Sequence, residues 1–239
     1  MNRFLEEPEL LDELPADDPR AIHSRHDLIR VNKLMGNADI MSRALMTRGS
    51  AGFFDRSASS KPGLSIVELG GGDGTFLFSL AQRVAPTLGA ARCVLVDQQR
   101  IVSSATAHAL AGLGWNLDVV QADVFDYLEA GDTRADLVIA NLFLHHFDDR
   151  RLRAMLEKVS RRTRLFLTCE PHRSRMAFAA ASLMGLIGCN HVSVHDGRIS
   201  VRAGFRDTDL SRLWPADGSW SLEETKAGRF THTFVAQHA

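Results

Sequence analysis

The chain has 239 residues, of which 45% are hydrophobic and 24% charged, and these shares are typical of a globular protein rather than a disordered one. The formal net charge of −1 excludes a global attraction to polyanions such as nucleic acid. Three isolated cysteines indicate neither a disulfide framework nor a zinc site. The acidic start lacks a signal-peptide pattern, and the longest apolar run, residues 176–189, is too short to cross a bilayer. We therefore expect a cytoplasmic protein without a transmembrane segment.

The N-terminal region predicts a helical cap. Residues 1–20 are acidic and interrupted by prolines, so we expect them to be loosely ordered. Within residues 24–47 the apolar side chains recur near helical spacing, with a break at Gly36-Asn37. The next stretch, residues 48–63, predicts a loop. We assign residues 1–60 to this cap.

Residues 61–239 predict the main domain. Short apolar runs of strand length alternate with helical segments, which favours right-handed crossovers and a parallel sheet. The apolar run at 176–189 predicts a helix within a lid of about residues 173–189, and residues 207–214 predict a further helix. Two alternating segments around Ala227-Gly228 predict an antiparallel hairpin. The parallel strands are predicted at 64–69, 91–97, 115–123, 135–144 and 163–171, with helices at 75–84, 101–114 and 149–162 between them.

The predicted fold class is α/β. It is a Rossmann-like, doubly wound, seven-stranded sheet with a C-terminal antiparallel hairpin and the N-terminal helical cap. In such a sheet, ligands bind beyond the carboxyl ends of the strands, where the strand order reverses.

A glycine-rich turn, VELGGGDGTF at residues 67–76, follows the first predicted strand. Glycine permits positive φ and has no Cβ, so a ligand can pack on the backbone there. The dinucleotide pattern G-x-G-x-x-G/A does not fit, because the sixth position is Thr75 when counted from Gly70 and Leu77 when counted from Gly72. A phosphate-binding Walker loop requires a lysine, which this turn lacks.

The pattern E-x-G-x-G-x-G in this turn resembles the first motif of the class I S-adenosylmethionine-dependent methyltransferases. Acidic residues at the ends of the second and third strands, and a polar residue ending the fourth, match the order of that family's motifs over roughly residues 62–170. The resemblance implies S-adenosylmethionine as cofactor and S-adenosylhomocysteine as product. The implied cofactor-binding residues are Glu68, Gly70, Gly72, Asp97, Gln98, Asp123, Val124 and Asn141.

Each implied role is matched to a part of the cofactor. Glu68 suits the ammonium group and the glycine turn suits the carboxylate, while Asp97 would accept both ribose hydroxyls. Asp123 would meet the adenine amino group, with the Val124 backbone N–H on the ring, and Asn141 would lie next to the methyl group. Simpler roles stay open for three positions: Asp97 and Asp123 as helix N-caps, and Gly71 as a residue that only relieves crowding.

The methyl acceptor is predicted to be a small molecule. Nucleobase amino-methyltransferases resemble one another in a [D/N]-P-P-[F/Y] motif, but here Asn141 is followed by Leu142, Phe143 and Leu144. Magnesium-dependent catechol enzymes use a carboxylate cluster that Asn141 alone does not supply, and the adjacent His145 and His146 should point apart, so we predict no metal. The apolar lid and the methionines of the cap favour an apolar acceptor.

Further resemblance, to a bacterial branch encoded beside type III polyketide synthases, implies O- or C-methylation of a phenolic or quinone-type acceptor. A base would assist such a reaction, because a phenol has a pKa near ~10. The candidates are His145, His195, His146, His191, His172 and Glu170. Glu170 has an alternative role as an ion-pair partner of a nearby arginine, Arg173 or Arg175.

Two other functions stay open. The basic helix at 149–162 could serve an RNA or protein methyltransferase, although a solvated charged face is the simpler interpretation. The chain could also be a non-catalytic S-adenosylmethionine-binding module. We expect no nucleic-acid partner, and a homodimer through the N-terminal helices is possible.

Overall fold

The computed structural model describes residues 8–15, 17–50, 63–131 and 134–239. These residues form nine α-helices, seven strands and two short 3₁₀ turns, at Leu144–His146 and Met184–Ile187. The helices are α1 (Leu10–Glu13), α2 (Pro19–Met35), α3 (Asn37–Ser50), α4 (Thr75–Leu88), α5 (Ser104–Gly112), α6 (Val124–Ala130), α7 (Asp149–Arg162), α8 (Arg175–Ser182) and α9 (His191–Ala203). The strands are β1 (Leu64–Leu69), β2 (Ala91–Asp97), β3 (Trp115–Gln121), β4 (Leu137–Asn141), β5 (Leu165–Pro171), β6 (Trp220–Ala227) and β7 (Thr231–His238).

The seven strands form one sheet in the order β3-β2-β1-β4-β5-β7-β6. The first five strands are parallel, and β7 lies antiparallel to both β5 and β6. One face packs on apolar side chains of α3, α4 and α5, and the other on those of α6, α7 and the segment 205–214. This arrangement confirms the doubly wound Rossmann-like fold with its C-terminal hairpin.

The strand register aligns the carboxyl ends that carry the predicted site. Leu69 at the end of β1 pairs with Val96 of β2 on one side and with Ala140 of β4 on the other. The order of the strands reverses between β1 and β4, so the loops that follow these strands diverge and leave a crevice.

The N-terminal region is more ordered than its composition predicts. The expected break at Gly36-Asn37 is confirmed, since Gly36 ends α2 in the left-handed conformation. The prediction of a loosely ordered start is wrong for the described part: α1 forms, and α2 begins at Pro19 because Asp18 caps it and proline suits the first helical position. The predicted loop is wrong at residues 48–50, which continue α3 to Ser50, and its residues 51–62 lie outside the described residues. The division into cap and main domain stays a prediction.

Several predicted helices have different ends, among them the helix predicted at 101–114, which is α5 at Ser104–Gly112. Two of these differences have a clear physical cause. The helix expected to stop before Pro86 continues to Leu88, because a proline in the last turn removes only one hydrogen bond before Gly89 ends the helix. The apolar lid helix is broken: α8 ends at Ser182, and a 3₁₀ turn closes at the left-handed Gly188.

The apolar lid is covered by the rest of the described protein on one side only, although its sequence is apolar nearly all round and we would therefore expect every face to be covered. Alanines occupy its buried side, with Ala177 and Ala181 packed against Val201 of α9. The large apolar side chains therefore remain exposed, namely Met176, Leu183, Leu186 and Ile187.

Residues 207–214 form consecutive turns instead of the predicted helix. The carboxylate of Glu224 accepts hydrogen bonds from the backbone N–H groups of Leu210 and Ser211, which diverts them from helical partners. Conversely, the polar histidine-rich segment after the lid is a regular helix, α9, capped by Asn190.

Candidate active site

A cavity of about 580 Å³ lies at the carboxyl edge of the sheet, where the strand order reverses. Its volume is within the range of small-molecule and cofactor sites. Residues of α2, α8 and α9 close the side that faces away from the sheet. The cavity is lined by all the residues predicted to bind the cofactor and by two of the predicted catalytic residues: Glu68, Gly70, Gly72, Asp97, Gln98, Asp123, Val124, Asn141, His145 and His146.

The glycines of the turn after β1 serve different purposes. A Cβ on Gly70 would overlap the ring of Phe143, and one on Gly71 would lie 2.5 Å from Leu95. Gly71 therefore relieves crowding inside the protein. Gly72 has φ of 55°, and no atom lies within 4 Å of the position its Cβ would take. Its backbone thus faces open space that a ligand can fill.

Glu68 is buried directly below this turn. Its side chain is 1% exposed, and Oε2 has no hydrogen-bond partner among the described residues. Burial, with the nearby charges of Asp73 and Asp97, raises the pKa of Glu68 well above its ordinary value. An unpaired buried carboxyl of this kind fits a ligand with an ammonium group, because a cation would restore its ionised form.

Asp97 at the end of β2 is positioned by backbone groups. Its Oδ2 accepts a hydrogen bond from the N–H of Gly72 at 2.9 Å, and its Oδ1 accepts one from Gln99 at 2.8 Å. Because each carboxylate oxygen has two lone-pair sites, both can still accept a ribose hydroxyl. Asp97 does not cap a helix, since α5 is capped by Ser103.

Asp123 takes the simpler of the two roles that the sequence left open, and its role toward adenine stays a prediction. As the N-cap of α6, it accepts a hydrogen bond from the Phe125 N–H at 2.7 Å, so the simpler role is confirmed. Its second oxygen accepts one from the side chain of Gln98 at 3.0 Å. Val124 follows in the first helical turn, where backbone N–H groups lack intrahelical partners and can meet a ligand.

Asn141 belongs to an amide cluster that sequence reasoning missed. Its side chain donates to Oδ1 of Asn32 and accepts from Asn37, each at 2.9 Å. Asn32 lines the cavity, and Thr231 donates to Asn37. No local signal identifies Asn32 or Asn37, because their partner lies more than 100 positions away in sequence.

His145 is held by Glu170 beneath the cavity. Nδ1 of His145 lies 2.8 Å from Oε2 of Glu170, and both side chains are buried. The other oxygen of Glu170 accepts hydrogen bonds from the N–H groups of Phe143 and Leu144 and from the hydroxyl of Thr168. Glu170 therefore orients His145 and does not line the cavity. The alternative partner Arg173 forms an ion pair with Asp209.

The second nitrogen of His145 faces Glu9, a residue that sequence reasoning also missed. Nε2 of His145 lies 3.3 Å from Oε1 of Glu9. Burial opposes the charged imidazole, but hydrogen bonds to Glu170 and Glu9 outweigh it and raise the pKa of His145 to about 9. Burial also acts against the Glu9 carboxylate, yet the two histidines and Ser200 lower its pKa to about 2.

The expectation that His145 and His146 point apart is wrong. Both lie in the 3₁₀ turn after β4, which brings their ring centroids to 4.4 Å with an angle of 31° between the planes. Nδ1 of His146 lies 3.3 Å from Asp12. Glu9, His145 and His146 each offer one possible ligand atom within 4.8 Å of the others. The orientation of the two histidines therefore no longer argues against a metal, and the absence of a metal stays a prediction.

The remaining candidate bases lie away from the cavity. His195 on α9 is partly exposed and contacts Asp196 at 3.1 Å. His191 is exposed at the start of the same helix, and His172 stacks on His232. None of these histidines is among the residues that line the described cavity.

The basic face of α7 is partly engaged within the protein. Lys158 pairs with Glu129 and Arg161 with Glu157, while the Arg151 guanidinium lies 4.9 Å from the ring centroid of Phe125. The expectation of no nucleic-acid partner stays a prediction. Within the described parts of the chain, no helix has both the length and the hydropathy needed to cross a membrane.

Comparisons with known proteins agree with this geometry. Residues 66–164 match the family model described as a methyltransferase domain. None of the curated proteins matches the sequence significantly. An O-methyltransferase family protein from Burkholderia thailandensis has 18% identity and a TM-score of 0.58, over 94% of this chain and 61% of that chain. The chain thus spans less than two thirds of that protein.

Two solved structures contain S-adenosylhomocysteine. Magnesium protoporphyrin IX methyltransferase from Synechocystis PCC 6803 has 15% identity and a TM-score of 0.52, over 84% of this chain and 81% of that chain. The plantazolicin methyltransferase BpumL has 10% identity and a TM-score of 0.62, over 93% and 92%. These likenesses show the shared fold. Residues 66–164 thus belong to a methyltransferase domain, and the chain as a whole shares the fold of these solved structures.

Proposed function

We propose that the protein methylates a small, apolar aromatic acceptor of the phenolic or quinone type, at oxygen or carbon. The observation that carries this proposal is the buried His145–Glu170 pair at the wall of the cavity that also contains the cofactor residues. A base fixed in this way suits an acceptor that must lose a proton.

The composition of the cavity wall on the proposed acceptor side supports an apolar acceptor. It is walled by apolar side chains of α2, the 3₁₀ turn after α8, and the β6–β7 connection: Leu28, Ile29, Leu34, Met35, Met184, Ile187 and Phe230. Walls of this composition favour a hydrophobic ring, while a few polar groups orient it.

S-adenosylmethionine, when bound, supplies an electrophilic methyl group on a sulfonium sulfur. For a phenolic acceptor, His145 receives the hydroxyl proton at Nε2 while Glu170 holds the proton on Nδ1. The raised pKa of His145, about 9, lies close to that of a phenol, which favours proton transfer between them. The cavity walls align the acceptor oxygen, and alignment alone can provide effective molarities of roughly 10⁵–10⁸ M.

We propose the following contacts between the cofactor and the residues that line the cavity. Glu68 would pair with the ammonium group, Gly72 would leave room for the methionine moiety, and Asp97 would accept the ribose hydroxyls. Asp123 and Val124 would meet the adenine ring. A cytoplasmic location and a possible homodimer are part of the same proposal.

A methyl-transfer screen tests the function. The protein is incubated with S-adenosylmethionine carrying a radiolabelled methyl group and with three acceptor classes: phenols and hydroquinones, RNA, and protein. We expect label in the phenol or hydroquinone products only, and none with His145→Ala. Transfer to RNA or protein in place of the small molecules would overturn the acceptor class. Cofactor binding without transfer to any class would favour a non-catalytic binding module.

A further inference from the structure

The acceptor side of His145 is already occupied by a group of the protein itself. Since Nδ1 is held by Glu170, Nε2 is the nitrogen at which an acceptor proton can arrive. Oε1 of Glu9 lies 3.3 Å from that nitrogen, and the Glu9 side chain is only 13% exposed. Glu9 and Leu11 both line the cavity. The carboxylate thus sits where the hydroxyl of a phenolic acceptor has to bind.

The segment that carries Glu9 is attached by polar contacts. The carboxylate of Asp196 on α9 accepts hydrogen bonds from the N–H groups of Leu10 and Leu11, at 2.8 and 3.0 Å. Ser200, one turn further along α9, donates to Glu9. Helix α1 contains no buried residue. It can therefore leave its place without exposing apolar core, which is the property of a low-stability, locally opening segment.

We propose that residues 9–13 form a latch over the acceptor half of the cavity, in which Glu9 occupies the acceptor's place on Nε2 of His145. As the acceptor enters, the Glu9 carboxylate withdraws, the pKa of His145 falls and the proton on Nε2 is lost to solvent. The acceptor hydroxyl then donates its hydrogen bond to the freed Nε2. Glu9 is thus a positioning residue that competes with the acceptor and holds His145 in its protonated form between turnovers. This inference rests on the proposed function of His145 as the base.

Several other titratable groups lie around His145 and would still influence its pKa after Glu9 is replaced. Glu170 faces it from β5 and His146 from its own turn, and Asp12 of α1 contacts His146. Asp196 of α9 lies beyond Glu9, with His195 beside it. Among the described residues, two carboxylates contact the imidazole of His145, and Glu9 is the one on the latch. Removing its charge should weaken proton binding by His145 but not abolish it.

The direct test is an NMR titration of the His145 ring in the full chain, which needs no acceptor. Wild type is compared with Glu9→Gln and with the matched control Glu13→Gln, which removes the same charge from an exposed position of the same helix. We expect the His145 midpoint to fall by about one pH unit or more in Glu9→Gln, because an opposite charge at this distance shifts a pKa by roughly 1–3 units. An unchanged midpoint, in a variant that binds S-adenosylmethionine like wild type, would overturn the proposal.

Kinetics test the displacement. With a phenol found in the acceptor screen, Glu9→Ala should lower the acceptor KM by roughly ten-fold. The reason is that the acceptor no longer competes with the hydrogen bond between Glu9 and the charged His145, and a bond of this kind is equivalent to about that change in affinity. Glu13→Ala should match wild type. An unchanged or raised KM in Glu9→Ala would overturn the latch while methyl transfer persists. If no phenol or other small acceptor is methylated, the proposed function fails, and the NMR titration still decides whether Glu9 binds His145.

Discussion

Nδ1 of His145 lies 2.8 Å from Oε2 of Glu170, and neither side chain reaches bulk solvent. The other oxygen of Glu170 accepts hydrogen bonds from the backbone N–H groups of Phe143 and Leu144, in the turn that carries the histidine. One buried carboxylate therefore fixes both the turn and the imidazole. The proposed base is therefore oriented by the fold before any acceptor arrives.

Replacing His145 should remove acid–base catalysis and leave cofactor binding intact. We expect His145→Ala to lower kcat by about 10²–10⁴-fold, the usual contribution of a positioned base. Calorimetry should give an unchanged affinity for S-adenosylmethionine. The control is His191→Ala, an exposed histidine at the start of α9, which should keep the wild-type rate. Equal rates for both variants would exclude His145 as the base.

The pH dependence should reflect the raised pKa of His145. Only the neutral imidazole accepts a proton, and the pKa of about 9 means that the charged form dominates at neutral pH. The value of kcat/KM should therefore rise with pH and level off above about pH 9, since kcat/KM reports the free enzyme. The profile of kcat should level off at lower pH if the acceptor displaces Glu9. A plateau of kcat/KM that begins near the ordinary histidine value would contradict the arrangement of two carboxylates around one ring.

Asp97 should contribute strongly to cofactor affinity. Hydrogen bonds to a charged group contribute about 1.5–3 kcal/mol each, so Asp97→Asn should weaken S-adenosylmethionine binding by at least about ten-fold. The matched control is Asp118→Asn, an exposed aspartate on the neighbouring strand β3. Isothermal titration calorimetry measures both. Binding of equal strength in the two variants would rule out Asp97 as a ribose ligand.

Cofactor binding should release a proton from Glu68. The pKa of Glu68 is raised well above its ordinary value in the free protein by burial and by the charges of Asp73 and Asp97. An arriving ammonium group lowers it again, so the carboxyl loses its proton on binding. Calorimetry in buffers of different ionisation enthalpy measures this release near neutral pH. Glu68→Gln should abolish the dependence on buffer; if the dependence is the same in both proteins, another group supplies the proton.

Methyl transfer should not require a metal. Although Glu9, His145 and His146 lie close together, both nitrogens of His145 already contact carboxylates, and a metal would have to break the contact with Glu9. We expect the rate to be unchanged after dialysis against a chelator. A loss of activity that added zinc or another divalent cation restores would show that the cluster binds a metal.

The fold of the main domain was largely predictable, because its signals are local. The alternation of apolar runs with amphipathic helices predicts five parallel strands. In the N-terminal cap, Gly36 likewise predicts the break between α2 and α3. The failures have tertiary causes. The turns at 207–214 depend on Glu224 from the hairpin. The exposure of the lid depends on which of its sides packs against α9, and that side carries alanines.

The residues of the site likewise include some that local sequence signals predict and some that only the tertiary structure brings in. The residues beside the sheet edge were predictable because each lies at or just after the end of a strand, and the carboxyl ends of parallel strands meet at one edge. Glu9 and Asn32 were not, since they come from a region without strand periodicity and reach the site only after the N-terminal helices pack. His195 looked equivalent to His145 in sequence, but the helical phase of α9 turns it away from the cavity.

The amide cluster of Asn32, Asn37 and Asn141 spans the joint between α2 and α3, at the left-handed Gly36. Asn141 ends β4 at the side of the cavity formed by the sheet edge, whereas α2 forms part of the opposite wall. Tilting α2 about this joint would pull on the end of β4. The helical wall and the sheet edge of one cavity are thus connected through three side-chain amides, so a displacement of either wall is resisted by the other.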